Sequence, residues 1–236
     1  MKKITSLVLC VALSVGMLAG CGCGSSYQSD VSAISVRDDG SILAVSVEEL
    51  DQSYYDEEEL KTYIDDAVSE YTSANEDVTV KVQSLKVSDS VATLNMKYDS
   101  AQTYSDFNGV TLFTGTVAEA LAAGYEFDCS FASISDGASS DASAASYSAY
   151  LSSISGDASS DASESADATG DVSMGDADTA DVTDALDANV VIVSEQVRVN
   201  VPGTITFVSA DGARVTSTDT VDVNNRTESL TYVIYQ

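Results

Sequence analysis

Carboxylates are the most abundant reactive groups in this sequence. It carries 38 Asp and Glu against 10 Lys and Arg, no histidine and a formal charge of -28. Two carboxylates facing each other across a cleft can hydrolyse a glycosidic bond. Glu57, Glu58, Glu59, Asp65 and Asp66 are the candidates, but their spacing puts them on the first turn and outer side of one predicted helix, and nothing in the sequence sets a partner opposite them. A sugar platform would have to come from the 12 Tyr, since there is no Trp. Calcium wants oxygen ligands, and Asp176, Asp178, Asp181, Asp184 and Asp187 are dense. No twelve-residue loop with a mid-loop Gly and a closing Glu surrounds them. Their spacing by three would stack like charges on one helical face, which destabilises a helix. Weak, nonspecific association with cations is expected, and no specific metal site. Without histidine, Ser-His-Asp and Cys-His hydrolysis and His-ligated zinc are excluded. No serine of the mature chain lies in Gly-x-Ser-x-Gly, and the glycine-rich phosphate-binding patterns are missing. The expectation is a non-enzyme with no cofactor. So negative a chain repels phosphate backbones and anionic headgroups, so neither nucleic acid nor an anionic lipid surface is an expected partner on charge alone.

One cysteine stands in a setting that specifies its chemistry. Lys2 and Lys3 precede the largely apolar run from Ile4 to Leu18, which ends in Leu18-Ala19-Gly20-Cys21. The run has the length of an export signal, is short for a membrane span, and lacks a basic stop-transfer flank. Small residues before the cut suit a peptidase that reads extended backbone, and a cysteine just after it is the acceptor thiol for diacylglycerol. Charge, apolar run, small residues and cysteine in that order resemble the bacterial lipoprotein signal. Cys21 is therefore the predicted lipidation site, and the membrane is the predicted partner through that anchor. One acyl chain holds a protein only marginally, whereas two or three hold it durably. Cleavage also removes Lys2 and Lys3, which leaves 8 of the 10 basic groups. The thiols left over are Cys23 and Cys129. In an exported chain they could pair; alternatively Cys23 is free and Cys129 fills an apolar position, as an unpaired cysteine commonly does. Both readings stay open.

These groups need elements to hold them, and composition divides the chain into five parts. Residues 1–20 are the signal peptide, and 21–30 a flexible tether with Gly22, Gly24, Ser25 and Ser26. Residues 31–134 read as α+β. Residues 135–189 are dominated by Ser, Ala, Asp and Gly, with near-copies beginning at Gly137 and Gly156. That span has few large apolar groups to offset ordering entropy, and its carboxylates repel one another, so it is expected to be a disordered acidic insertion. Within it, Tyr147, Tyr150, Leu151 and Ile154 have helical spacing. Residues 190–236 read as β-rich. That piece is too small to supply its own core, so it is expected to dock on 31–134 as one folded unit; two domains joined by a linker is the competing arrangement.

Within 31–134, alternation through Ile34 and Val36, the turn Asp38-Asp39-Gly40 and a strand over Ile42–Val47 predict a hairpin. Leu60, Tyr63, Ile64, Ala67, Val68 and Tyr71 form an apolar helical stripe. Asp56 and Glu59 cap it, and Tyr55 is placed to staple against Leu60. Val78–Val87 reads as a strand with a bulge at Gln83-Ser84. Ser88-Asp89-Ser90 turns the chain into a strand whose core face is Ala92, Leu94, Met96 and Tyr98. Val110–Phe113 is a further strand, Thr116 and Glu119 a capping box opening a short helix, Gly124 its stop, and Tyr125–Phe131 a strand. Beyond the tract, Val190–Val193 and Val197–Val201 are strands. Pro202-Gly203 is a turn, Ile205 and Phe207 share a face, Asp211-Gly212 is a hairpin turn, Asn224-Asn225 another turn, and Leu230, Tyr232 and Ile234 alternate. The fold class is thus α+β: an antiparallel sheet packed against one amphipathic helix, a β-rich C-terminal segment docked on it, and a long disordered acidic insertion.

The run from Phe107 to Tyr125, with Val191-Ile192-Val193-Ser194-Glu195 and Tyr232-Val233-Ile234-Tyr235, resembles a group of uncharacterised lipoproteins of gut clostridia. The resemblance covers both predicted folded pieces and skips the tract. It implies an envelope setting and carries no activity, cofactor or catalytic residue. The expected role is that of a surface lipoprotein on the extracytoplasmic face of the cell membrane, structural or interacting, with a protein or cell-wall partner. The alternative is an extracytoplasmic binding module for a small solute, a peptide or a basic protein, for which a pocket lined by several of Tyr54, Tyr55, Tyr98, Tyr104 and Tyr125 would speak. The tripeptide Asn225-Arg226-Thr227 matches a glycosylation acceptor and is set aside on the bacterial signal.

Overall fold

The computed structural model describes residues 27–50, 57–135, 138–140, 186–224 and 229–236. The signal, Cys21, Cys23, Tyr54, Tyr55, the Asp56 cap, the helical spacing at Tyr147–Ile154, the Asp176–Asp184 cluster and Asn225-Arg226-Thr227 lie outside the described residues.

The fold is α+β, with two sheets and helices packed against strands. β1 (Ala33–Val36) and β2 (Ile42–Glu49) form the predicted hairpin. Gly40 takes φ +77°, and its N–H donates to the Arg37 carbonyl at 2.9 Å. Asp39 accepts from both the N–H and the hydroxyl of Ser41, which closes the turn. β3 (Val80–Ser88) and β4 (Val91–Tyr98) follow the helix α1 (Glu57–Ala74). Their register shifts between Val82 and Ser84, the bulge read from the phase change. Asp89 and Ser90 both have positive φ, the geometry of a two-residue hairpin turn that follows strand twist.

β5 (Leu112–Thr116), β6 (Phe131–Ser135), β7 (Ala138–Ser140), β8 (Asn189–Val193), β9 (Arg198–Asn200), β10 (Ile205–Ser209), β11 (Ala213–Ser217), β12 (Thr220–Val223) and β13 (Thr231–Tyr235) complete the strands among the described residues. The first sheet runs β11-β12-β9-β1-β2-β4-β3 and the second β5-β8-β13-β10-β6-β7. Each takes strands from both sides of the acidic tract. β9 pairs in parallel with β1, and β8 lies between β5 and β13.

The sheets face each other across one apolar cluster. Ile34, Ala44, Met96 and Val199 from the first meet Val191, Ile205, Val208 and Val233 from the second. The far side of the second sheet is covered as well. Val190, Ile192, Tyr232 and Ile234 pack there with Phe127 and with Val117 and Ala120 of α3 (Val117–Ala122). β8 and β13 are thus buried on both faces, which explains the unbroken apolar run Val190–Val193. Thr116 and Glu119 make the full capping box of α3, and Gly124 takes φ +90° after it.

Several expectations change. To α1 and the expected short helix α3 the structure adds a helix that the sequence pattern does not predict. α2 (Ala101–Asn108) carries an N-cap at Ser100, whose hydroxyl accepts from Thr103 N–H at 3.1 Å, and a left-handed stop at Gly109. In α1 only Ile64 is fully buried, Val68 and Tyr71 pack at the margin of the core, and Tyr63 is 65% exposed. The helix meets β3 at the sheet's edge, so the buried strip is narrower than the sequence stripe. Tyr125–Ser130 is not a strand. Its burial still alternates, with Phe127 and Phe131 inside, but ladder pairing starts only at Phe131, opposite Ser209. Ile205 and Phe207 do not share a face: a register shift between them sends Ile205 to the inter-sheet cluster and Phe207 to the other. Asp211-Gly212 turns the chain but makes no hairpin, since β10 belongs to one sheet and β11 to the other. Order also reaches into both ends of the 135–189 span. Ala138–Ser140 pairs with β6, while Leu186 and Ala188 pack in the second cluster.

Candidate functional site

Among the tyrosines named for a binding pocket, Tyr98 and Tyr104 come together, with ring centroids 5.0 Å apart and edge to face. Both are buried in the inter-sheet cluster, so they fill space rather than line it. Tyr125 is elsewhere, against Phe113 on the far side of the second sheet. The hydroxyl of Tyr104 donates to Glu195 Oε1 at 2.6 Å. Burial, chiefly, raises the Glu195 carboxyl above the ordinary range, and the Tyr104 hydroxyl acts against it by favouring the charged form. The Tyr104 phenol is itself pushed far up by burial, then by the nearby Glu195 charge. This pair ties α2 to the β8–β9 connection. Tyr104 is buried in the inter-sheet cluster and its hydroxyl is engaged by Glu195, so the pair acts as a structural link.

The α1 carboxylates Glu57, Glu58, Glu59, Asp65 and Asp66 are exposed. Asp65 pairs with Lys61 one turn away at 2.5 Å. They share the solvent side of one helix. Among the described residues no group of three or more His, Cys, Asp or Glu could hold a metal. Cys129 is half-buried, with Sγ 3.7 Å from the Ser209 hydroxyl, and burial pushes its thiol up.

The chain matches no family model, no curated protein and no solved structure. The reading of a site therefore rests on side chains alone.

The most distinctive grouping lies on the outer face of the first sheet, away from the core. Since Ile34, Ala44, Met96, Val199 and Val221 point inward, strand alternation turns their neighbours outward. Register then lines these neighbours up in rows across the sheet. One row runs Arg214, Asp222, Arg198, Ala33, Val45, Asn95, Ser84, and the next runs Thr220, Asn200, Ser35, Leu43, Lys97, Lys81. Lys86 joins Thr93 and Val47 in a third. Five of the chain's ten Lys and Arg therefore project from one face: Lys81, Lys86, Lys97, Arg198 and Arg214. Ala33, Ser35, Leu43 and Val45 along its middle are buried.

Arg198 anchors one side of this face. Its Nε donates to Asp222 Oδ1 at 2.7 Å, and Nη1 reaches Asp30 at 3.3 Å. The hydrogen bond to Asp222 raises the guanidinium further. Tyr27 donates its hydroxyl to the Asn200 side chain on the same face, and burial raises its phenol. The segment that leads back to Cys21 is thereby fastened to β9 by Tyr27 and Asp30. At the rim, a polar depression of about 370 Å³ is lined by Arg37, Asp38, Asp39, Ser41, Leu43, Gln83 and Lys97. Asp39 there is held below its ordinary range, first by Ser41 and then by Lys97.

The sequence pattern does not reveal the cationic face, although Lys81, Lys86, Lys97 and Arg198 sit at the polar phase of predicted strands, and Arg214 lies beyond them. Assembling it requires the order β3-β4-β2-β1-β9-β12-β11, and the parallel β1–β9 pairing joins positions on opposite sides of the tract. No local signal encodes that.

Proposed function

We propose that this chain is a bacterial lipoprotein, held on the extracytoplasmic face of the cell membrane by acylation of Cys21, with a non-catalytic structural or interaction role in the envelope. The observation that carries the reading is the ordered run of Lys2-Lys3, the apolar stretch Ile4–Leu18 and Leu18-Ala19-Gly20-Cys21. Supporting it, the first described residues, Tyr27 and Asp30, are bound to the sheet only a few residues beyond the cysteine. A folded body fastened that close to its anchor suits a protein tied to a surface. In this reading the acidic composition of the span between β7 and β8 favours solubility. The non-catalytic part of the reading rests on the sequence, which has no histidine, and on Glu57, Glu58, Glu59, Asp65 and Asp66 all being exposed on one helix.

The test is metabolic labelling with a palmitate analogue in the wild type and in Cys21→Ala. Label confined to the wild type supports the reading. Equal label in both variants would end it.

A further inference from the structure

We propose that residues 147–154 of the acidic tract, which lie outside the described residues, pack on the outer face of the first sheet over β1 and β2. The centre of that face is apolar and already covered. Ala33, Leu43 and Val45 are 0%, 7% and 2% exposed, yet they belong to neither apolar cluster. They point away from the inter-sheet cluster, because Ile34, Ile42 and Ala44 point into it. A sheet face that withdraws such residues from water needs a further layer over it. Tyr27 and Asp30 bond to Asn200 and Arg198 of β9, which stands two strands from β2. The helices pack chiefly on β3, β4, β5 and β8.

A polar atom in the same row makes a second demand. Asn95 stands opposite Val45. Its Nδ2 donates to Ser84 Oγ at 3.1 Å, but its Oδ1 is buried with no partner among the described residues. Buried acceptors are normally paired. The covering layer must therefore bring a donor as well as apolar surface.

One stretch of the tract meets both demands. Residues 142–156 carry no charged side chain and include Tyr147, Tyr150, Leu151 and Ile154. The i, i+3, i+4, i+7 spacing lets all four address one surface, and either phenol can donate to Asn95. Asp30, Asp39, Asp222 and Glu49 nearly balance the five cations around this centre. An uncharged segment therefore suits it better than the Asp-rich remainder of the tract. The path is short. β7 lies against β11, the edge strand of the first sheet, and the tract leaves β7 at Ser140. From β11 to β2 is four strand spacings, roughly 19 Å. The seven residues from Ser140 to Tyr147 extend to about 23 Å. Residues 155–185 remain for the return to β8. The contact does not require a lipid on Cys21.

The test is hydroxyl-radical footprinting of the full chain and of the chain from Cys21 onward, both in neutral detergent, read by residue with mass spectrometry. Tyr63, 65% exposed on α1, is the open reference, and Ile192 in the second cluster is the closed one. In both forms Tyr147 and Tyr150 should oxidise several-fold more slowly than Tyr63. In the variant Tyr147→Ser, Tyr150→Ser, Leu151→Ser, Ile154→Ser, oxidation of Leu43 and Val45 should rise several-fold while Ile192 stays slow. Tyr147 and Tyr150 oxidising as fast as Tyr63 overturns the proposal without any variant, and that comparison still decides if the variant unfolds and Ile192 rises too. A folded variant in which Leu43 stays as slow as in the wild type also overturns it. Protection of Leu43 seen only in the full chain gives the face to the apolar run Ile4–Leu18 instead. Protection that disappears on dilution gives it to a second copy of the chain, and either result rejects residues 147–154 as the occupant.

Discussion

Tyr104 donates a 2.6 Å hydrogen bond to Glu195, which stands 91 residues further along the chain. The bond crosses the acidic tract and gives a carboxyl largely withdrawn from solvent its donor. Tyr104→Phe removes the donor and leaves that carboxyl unsatisfied, at a cost of about 1–3 kcal/mol. Glu195→Gln keeps an acceptor for the phenol. The carboxyl's raised pKa fixes the sign of the pH effect. The folded state holds this proton more tightly than the unfolded one, so the contribution is fully present below the ordinary value of 4.5 and is lost as pH rises through the raised folded value. The stability of Glu195→Gln relative to wild type should therefore climb across that acid window and then level off. Urea unfolding at a series of pH values checks it, and a difference that is flat with pH would contradict the assignment.

A second relationship concerns a glycine whose side chain is excluded by a cap. A Cβ on Gly115 would lie 2.7 Å from Glu119 Oε2 and 3.0 Å from the Phe113 ring. That Glu119 oxygen accepts from Thr116 N–H at 2.8 Å, while Thr116 Oγ1 accepts from Glu119 N–H at 3.1 Å. Gly115→Ala should displace the Glu119 carboxylate and so remove half of the box. Thr116→Ala removes the other half, at about 1 kcal/mol. Because both act on one cap, their combined cost should fall short of the sum. A double-mutant cycle by denaturant titration measures the shortfall, and full additivity would mean that the box is not what Gly115 protects.

How legible this fold was depends on the range of the contacts involved. The β1–β2 hairpin, the β3 bulge and the α3 capping box are set by neighbours within ten residues or so, and alternation, phase change and cap chemistry expose them directly. α2 was equally local but went unread. Ser100, Ala101, Tyr104, Phe107 and Gly109 form its cap, stripe and stop, yet eight residues rich in Ser, Thr, Asp and Asn give little helical period. The pairing of Ile205 and Phe207 failed for another reason. Alternation assumes an unbroken ladder, and the shift at Thr206 answers to β13, not to its own sequence. The candidate face was the least legible, because it is a property of strand order across the tract.

Cys129 should behave as a slow thiol. Burial raises its pKa, opposed by the Ser209 hydroxyl 3.7 Å away, and the thiolate is the form that reacts. Alkylation with iodoacetamide at neutral pH should be slow in the folded protein and fast in denaturant without reductant. Fast native labelling would contradict the packing. A thiol that labels in denaturant only after reduction would instead mean that Cys129 is paired with Cys23.

The interleaving of strands makes a prediction about cutting the chain. Protease cleavage between residues 141 and 185 severs the covalent link between β7 and β8 but leaves each sheet's pairing in place. β8 is hydrogen-bonded on one side to β5 and on the other to β13, and β9 pairs with β1. Val117 N–H also donates to the Ala188 carbonyl at 2.9 Å. The fragments should therefore co-elute on gel filtration and separate only in denaturant. The C-terminal fragment, refolded alone, should give no cooperative transition. Half of its strands belong to one sheet and half to the other, so by itself it would lose Ile34, Ala44 and Met96 from the inter-sheet cluster and Val117, Phe127 and Phe131 from the second. Two nicked pieces that part under native conditions, each with its own unfolding transition, would show that the two sides of the tract fold independently and that the pairing across it contributes little.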